Sequence, residues 1–180
     1  CRLWAALVAA GEARVVILSS IGHRIAPMDF DDPNFERRDY HKWTAYGQAK
    51  TANSLCAVGV DARGKAHGVR AFAVHPGGIM TDLQRSLPME EQIAMGWITA
   101  EGVVNPMFKT PAQGAATTVW AATSPQLAGH GGVYCEDCDV AAAVVADDKG
   151  FAGVRPWAVD AAAADQLWAL SEKLTGAGLP

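Results

Sequence analysis

Long hydrophobic runs are missing from this sequence. The longest near the start, Leu3 to Ala10, is eight residues, against the roughly 20 that a transmembrane helix needs, so no membrane anchor is expected. That run has no basic segment before it and no small-residue cleavage signal after it, which argues against a secretory peptide and makes the cytoplasm the expected compartment. Cysteine is scarce as well: Cys1, Cys56, Cys135 and Cys138 are too few and too unevenly spaced for a disulfide framework, in keeping with a reducing environment. Positive charge is not clustered, since Arg37, Arg38, Lys42, Arg63 and Lys65 are scattered in a chain of net charge -4, and no nucleic-acid partner is expected. Finally, no glycine-rich turn stands between a strand and a helix where a pyrophosphate would sit. The glycine groups present are Gly77-Gly78, Gly129-His130-Gly131-Gly132 and Gly176-Ala177-Gly178, and none has that spacing.

The 180 residues, half of them apolar and 19% charged, suit one soluble globular domain over 1–180. Helix formers over 2–10 end at Gly11, and Arg14 to Leu18 is a β-branched run expected to be a strand buried on both faces of a parallel sheet. It delivers Ser19 and Ser20. Residues 22–43, with Pro27, Pro33 and Asp29, Asp31 and Asp32, read as a surface excursion. A helix over 45–60 is expected with Thr44 as its cap, then a strand from Val69 to Val74 before the breaker Pro76-Gly77-Gly78. Further on come a helix over 81–96 interrupted by Pro88, a helix from Pro111 to Thr123, a short strand over 131–134 and a closing helix over 161–174. This alternation is α/β grammar: strands joined by helical crossovers lie parallel, and ligands of such sheets bind beyond the carboxyl ends of the strands.

Tyr46 and Lys50 stand one turn apart on the same face of the helix. A phenol normally ionises near pKa ~10, and a nearby ammonium stabilises its anion, so such a pair suits proton exchange with a substrate oxygen. An i, i+4 Tyr–Lys pair is, on its own, more often an ordinary surface contact. Rival chemistries fit poorly. Gly59 to Ala66 nearly spells a phosphate-binding loop, but Ala66 stands where Ser or Thr must hold magnesium. Cys135 and Cys138 have no second Cys or His pair, so no metal site is expected. A hydrolase built on Ser20 with His23 or His75 lacks the Gly-x-Ser-x-Gly elbow.

The surroundings of the pair resemble the short-chain dehydrogenase/reductase family, whose motif is Tyr-x-x-x-Lys after a strand ending in a catalytic Ser. Ser19-Ser20-Ile21-Gly22-His23, the long gap to Tyr46, and Ala45 to Asn53 resemble its retinol-dehydrogenase-like and WW-domain-oxidoreductase-like branch. His75 to Asp82 is similar to the family's Pro-Gly segment, and the likeness extends to Gln113 to Ala116 and Gly131 to Tyr134. The resemblance implies the C-terminal portion of a Rossmann-type doubly wound parallel sheet, strands five to seven, with the N-terminal cofactor-binding strands missing. It implies Ser20, Tyr46 and Lys50 as catalytic residues, and Tyr46, Lys50, Pro76, Gly77, Gly78, Ile79 and Thr81 as contacts to NAD or NADP. Ser20 would orient the substrate oxygen, Tyr46 exchange its proton, and Lys50 assist Tyr46 while holding the nicotinamide ribose. The substrate would be a small hydrophobic alcohol, aldehyde or ketone, walled by residues 22–43 and 82–108 with Trp43, Leu83, Met89, Met95 and Trp97, and a homo-oligomer is compatible with the pattern. Because the sequence starts at Cys1 and lacks the glycine-rich turn, it reads as a fragment that alone does not bind NADPH, and a catalytically inactive remnant or interaction protein is the alternative.

Overall fold

The computed structural model describes residues 2–179. Helix α1 (Trp4–Ala9) leads through Gly11, in the left-handed region at φ +76°, into strand β1 (Ala13–Leu18). A 3-10 turn (Ile21–Arg24) and an irregular segment precede the long helix α2 (Lys42–Gly64), and β2 (Val69–His75) follows. Next come a 3-10 turn (Asp82–Ser86), α3 (Met89–Ala94), α4 (Pro111–Thr123), the hairpin β3 (Val133–Glu136) and β4 (Asp139–Val140), and α5 (Ala161–Thr175). The sheet order is β1-β2-β3-β4, with β1, β2 and β3 parallel and β4 antiparallel.

Side-chain alternation along β2 divides the core into two layers. Ala71 and Ala73 pack with Ala57 of α2, Tyr134, Val154 and Ala158 on one face, while Phe72 and Val74 pack with Ala121 of α4, Leu127 and Cys135 on the other. A third cluster, Leu55 with Ala164 and Leu167, seats α5 on α2. Helices therefore cover both faces of a parallel-dominated sheet, the Rossmann-type arrangement.

Several expectations need correction. Strand β1 is only half-buried and Leu18 is 49% exposed, because among the described residues β1 is the outermost strand of the sheet, with no strand on its far side. The 22–43 segment is less superficial than its composition suggests: Gly22, His23, Ala26 and Asp32 are buried. The Asp32 carboxylate accepts the backbone N–H groups of Glu36 (2.8 Å) and Arg37 (3.1 Å). Helix α2 starts before Thr44, with His41 as its cap, and Gly59 to Gly64 lie inside it, which excludes a phosphate-cradling loop there. The β3–β4 turn places Asp137 and Cys138 at positive φ, +49° and +59°, the geometry of a two-residue hairpin without its customary glycine. Cys56, Cys135 and Cys138 are free thiols, and burial pushes Cys135 up to about 12. Among the described residues, no helix is long and apolar enough to cross a membrane, and no three His, Cys, Asp or Glu side chains gather to hold a metal ion.

Candidate active site

Strands β1 and β2 end side by side, with Ser19 N–H donating to the Val74 carbonyl at 2.8 Å. Ser20 stands just beyond. Its backbone is extended, and its Oγ accepts the Gly22 N–H at 3.0 Å, capping the 3-10 turn. A hydroxyl that accepts in this way keeps its own proton free for another oxygen. Ser19 faces the other way, donating to the Lys50 carbonyl at 2.8 Å and accepting from Ser54 Oγ at 2.8 Å, which fastens the strand end to α2.

The Tyr46 ring lies across Gly22. A Cβ built on Gly22 would stand 2.5 Å from Tyr46 Cε1 and 3.5 Å from Ser20 Oγ, so the missing side chain is what lets the phenol sit beside the serine. At Gly47 the helix presses directly on the turn: a Cβ there would lie 2.8 Å from Ile25 Cβ and 3.0 Å from both Ala26 N and the Gly22 carbonyl. One turn beyond Tyr46, Lys50 Nζ lies 5.5 Å from the centre of the Tyr46 ring and donates to the Leu18 carbonyl at 3.4 Å. Burial holds its pKa below the usual lysine value. Ser20, Tyr46 and Lys50 thus meet at one corner of the sheet.

Neither histidine approaches the serine as a base would. His23 Nδ1 is 2.8 Å from the Ser20 carbonyl and not bonded to Oγ, and His75 Nδ1 accepts Gly77 N–H at 3.3 Å. Burial brings both down to about 4, with the Lys109 charge adding to the effect at His75. The hydrolase reading fails on this geometry.

The segment after β2 forms a second wall. Gly77 has φ +93° and passes under the Lys109 side chain, where a Cβ would be 2.7 Å from Lys109 Cδ. Gly78 faces the Phe108 ring, its carbonyl accepts Lys109 N–H at 2.8 Å, and Ile79 fills the space left by Gly114. Thr81 is exposed, and its hydroxyl caps the 3-10 turn, accepting Leu83 N–H at 3.3 Å. From Tyr46 a run of edge-to-face rings crosses to this wall: Trp43 at 6.3 Å, Trp97 at 6.2 Å from Trp43, and Phe108 at 5.8 Å from Trp97. Glu91 of α3 holds the bridge, accepting Trp43 Nε1–H at 3.1 Å and pairing with Lys42. Of the other residues expected to wall a pocket, Leu83, Met89 and Met95 are 73%, 61% and 40% exposed.

Gly22, Glu91, Phe108 and Lys109 are the site residues that sequence reasoning did not single out. Only Gly22 carried a signal, as a glycine two positions after the serine; the others depend on contacts between distant segments.

No family model matches the chain. It is 46% identical over 178 residues to a Streptomyces lividans protein described as "Probable oxidoreductase", across 98% of this chain and 60% of that one. It is also 37% identical over 163 residues to the short-chain dehydrogenase/reductase prx1 of Penicillium roqueforti, across 91% of this chain and 47% of that one. The curated proteins it matches are thus described as oxidoreductases and short-chain dehydrogenases/reductases. It spans about half the length of the curated relatives it matches. Among solved structures, an uncharacterised protein of Mycobacterium paratuberculosis superposes with a TM-score of 0.63 and 28% identity, covering 94% of this chain and 52% of that one.

Proposed function

We propose that the intact protein is an NAD- or NADP-dependent oxidoreductase that interconverts an apolar alcohol and its aldehyde or ketone, and that this chain is its C-terminal, catalytic portion. The observation that carries the reading is the Tyr46 ring laid over Gly22 beside the Ser20 hydroxyl, with the Lys50 ammonium next to the ring. A substrate oxygen within reach of both hydroxyls receives a hydrogen bond from Ser20, whose lone pair is already engaged by Gly22 N–H. In the reducing direction Tyr46 gives that oxygen its proton, and in the oxidising direction it takes the proton back. Lys50 stabilises the negative charge left on the phenol oxygen.

The residues fit the nicotinamide end of such a cofactor. Among the described residues Lys50 Nζ holds only one long bond to a backbone carbonyl, which leaves donors for ribose hydroxyls, while the turn from Pro76 to Ile79 offers glycine backbone and Thr81 offers a hydroxyl nearby. The cofactor, when bound, supplies and accepts the hydride. The pyrophosphate-binding turn is absent from this sequence, so the 180-residue chain by itself is expected not to bind NADPH, and fluorescence titration showing micromolar binding would overturn that. The Trp43, Trp97 and Phe108 rings make the wall facing the substrate apolar.

The test is turnover of the intact protein with NADH and NADPH against a panel of aldehydes, ketones and alcohols. Tyr46→Phe should lower kcat by about 10²- to 10⁴-fold, the usual contribution of a positioned proton donor. Undiminished turnover by that variant would overturn the assignment. Persistent absence of turnover by the unaltered protein would instead favour the inactive or interaction role.

A further inference from the structure

His23 has none of the roles assigned above, yet it is fully buried directly behind Ser20. Its Nε2 lies 3.1 Å from the backbone N–H of Arg155 and its Nδ1 2.8 Å from the Ser20 carbonyl. A backbone N–H can only donate, so Nε2 is the bare acceptor, the ring proton is on Nδ1, and Nδ1–H donates to the serine carbonyl. The His23 carbonyl in turn accepts Trp157 Nε1–H at 3.0 Å and lies 3.1 Å from Thr51 Oγ1, which shares its one proton with the Ala26 carbonyl at 2.8 Å. The ring packs 4.7 Å from that of Tyr134, whose hydroxyl is buried without a partner among the described residues. Charged and titratable groups face it from each element packed around it: Arg24 on its own turn, Arg155 on the segment before α5, His75 on β2 and Tyr134 on β3. The two arginines are themselves tied down, Arg24 to Asp148 and Arg155 to the Val145 and Asp148 carbonyls.

We propose that His23 is a positioning residue: as an Nδ1–H donor it fixes the Ser20 carbonyl, and with it the direction of Ser20 Oγ toward Tyr46, against a strap contributed by Arg155 and Trp157. The strap comes from the far end of the chain, so a distant segment sets the pose of the serine. This rests on the reading of Ser20 as donor to the substrate oxygen.

Three variants of the intact protein separate positioning from mere packing. In His23→Asn the side-chain amide keeps a donor at the Nδ1 place and loses the Arg155 acceptor. His23→Gln does the reverse, and His23→Phe loses both. The readouts are hydrogen exchange at the Gly22 amide, whose bond to Ser20 Oγ reports the serine's pose, and kcat and KM for decanal with NADPH or NADH. His23→Phe should speed Gly22 exchange by roughly tenfold or more and lower kcat by a similar factor with KM within about threefold. His23→Asn should keep both readouts within about threefold of the unaltered protein despite a lower Tm, and His23→Gln should fall below it. Unchanged Gly22 exchange and kcat in His23→Phe would overturn the proposal. If His23→Phe does not fold, the order of Asn and Gln decides: Gln equal to or better than Asn overturns it. Should the unaltered protein fail to turn over decanal and the wider panel, the proposed activity falls, and Gly22 exchange still decides the role of His23.

Discussion

The two walls of the site are built on different principles. On the serine side, the groups that surround Ser20 and Tyr46 are tied to buried partners: Gly22 and Gly47 bring backbone and ring into direct contact, Thr51 Oγ1 shares its one proton between the Ala26 carbonyl (2.8 Å) and the His23 carbonyl (3.1 Å), and Ser19 is bonded to α2 from both directions. On the other side, residues 79–109 contain one short helix and a 3-10 turn, expose Leu83, Met89, Val103 and Met107, and are held through Glu91 and the ring contacts. Proton chemistry needs groups fixed to a fraction of an ångström, whereas recognition of an apolar body needs surface without fixed direction. The part of the site that varies from relative to relative is therefore expected to be the second wall.

That contrast can be broken by experiment. The largest effect should come from acid. His23 and His75 both sit at about 4 in the folded protein against an ordinary value of 6.5, so the unfolded chain binds more protons between those limits. Stability should be flat above pH 6.5 and fall as pH drops toward 4, by roughly 3 kcal/mol at most for His23, with His75 acting in the same direction. Denaturant titrations at pH 7.5 and 4.5 check this, and equal midpoints would mean the serine side is not the buried, neutral structure described. Next, Gly22→Ala should displace the Tyr46 ring and lower kcat on the order of 10²-fold with little change in KM. Gly47→Ala meets backbone as well as side-chain atoms, and chemical denaturation should show a loss of about 1–3 kcal/mol. The smallest effect belongs to the second wall: Glu91→Gln should raise KM about threefold and leave kcat unchanged. A kcat loss there larger than that of Gly22→Ala would erase the distinction between the walls.

How much of this was legible depends on how local each feature is. Helix α4 runs from Pro111 to Thr123 as its sequence indicates, because Pro at the first turn and the reciprocal Thr110–Gln113 cap are signals within a few residues of the boundary. The i, i+4 spacing likewise gives the shared face of Tyr46 and Lys50. Contacts between distant segments leave no such mark. The edge position of β1 depends on which strands flank it, the depth of His23 on a partner at Arg155, and the ring contact of Trp97 on a loop whose path no local pattern dictates. Strand β4, two residues long after a turn without glycine, offered no periodicity to read.

The bond between Lys50 and the Leu18 carbonyl has a further consequence. Successive residues of a strand point their backbone groups to opposite sides, and Ser19 N–H points to β2, so the Leu18 carbonyl is on the outer edge of the sheet. There it is already occupied, by Lys50 Nζ and by Asn53 Nδ2 at 2.9 Å. Any strand that joins this edge, from the same protein or another, finds its ladder closed at that carbonyl. The helix that carries the tyrosine thus also closes the outer edge of β1 at its last residue.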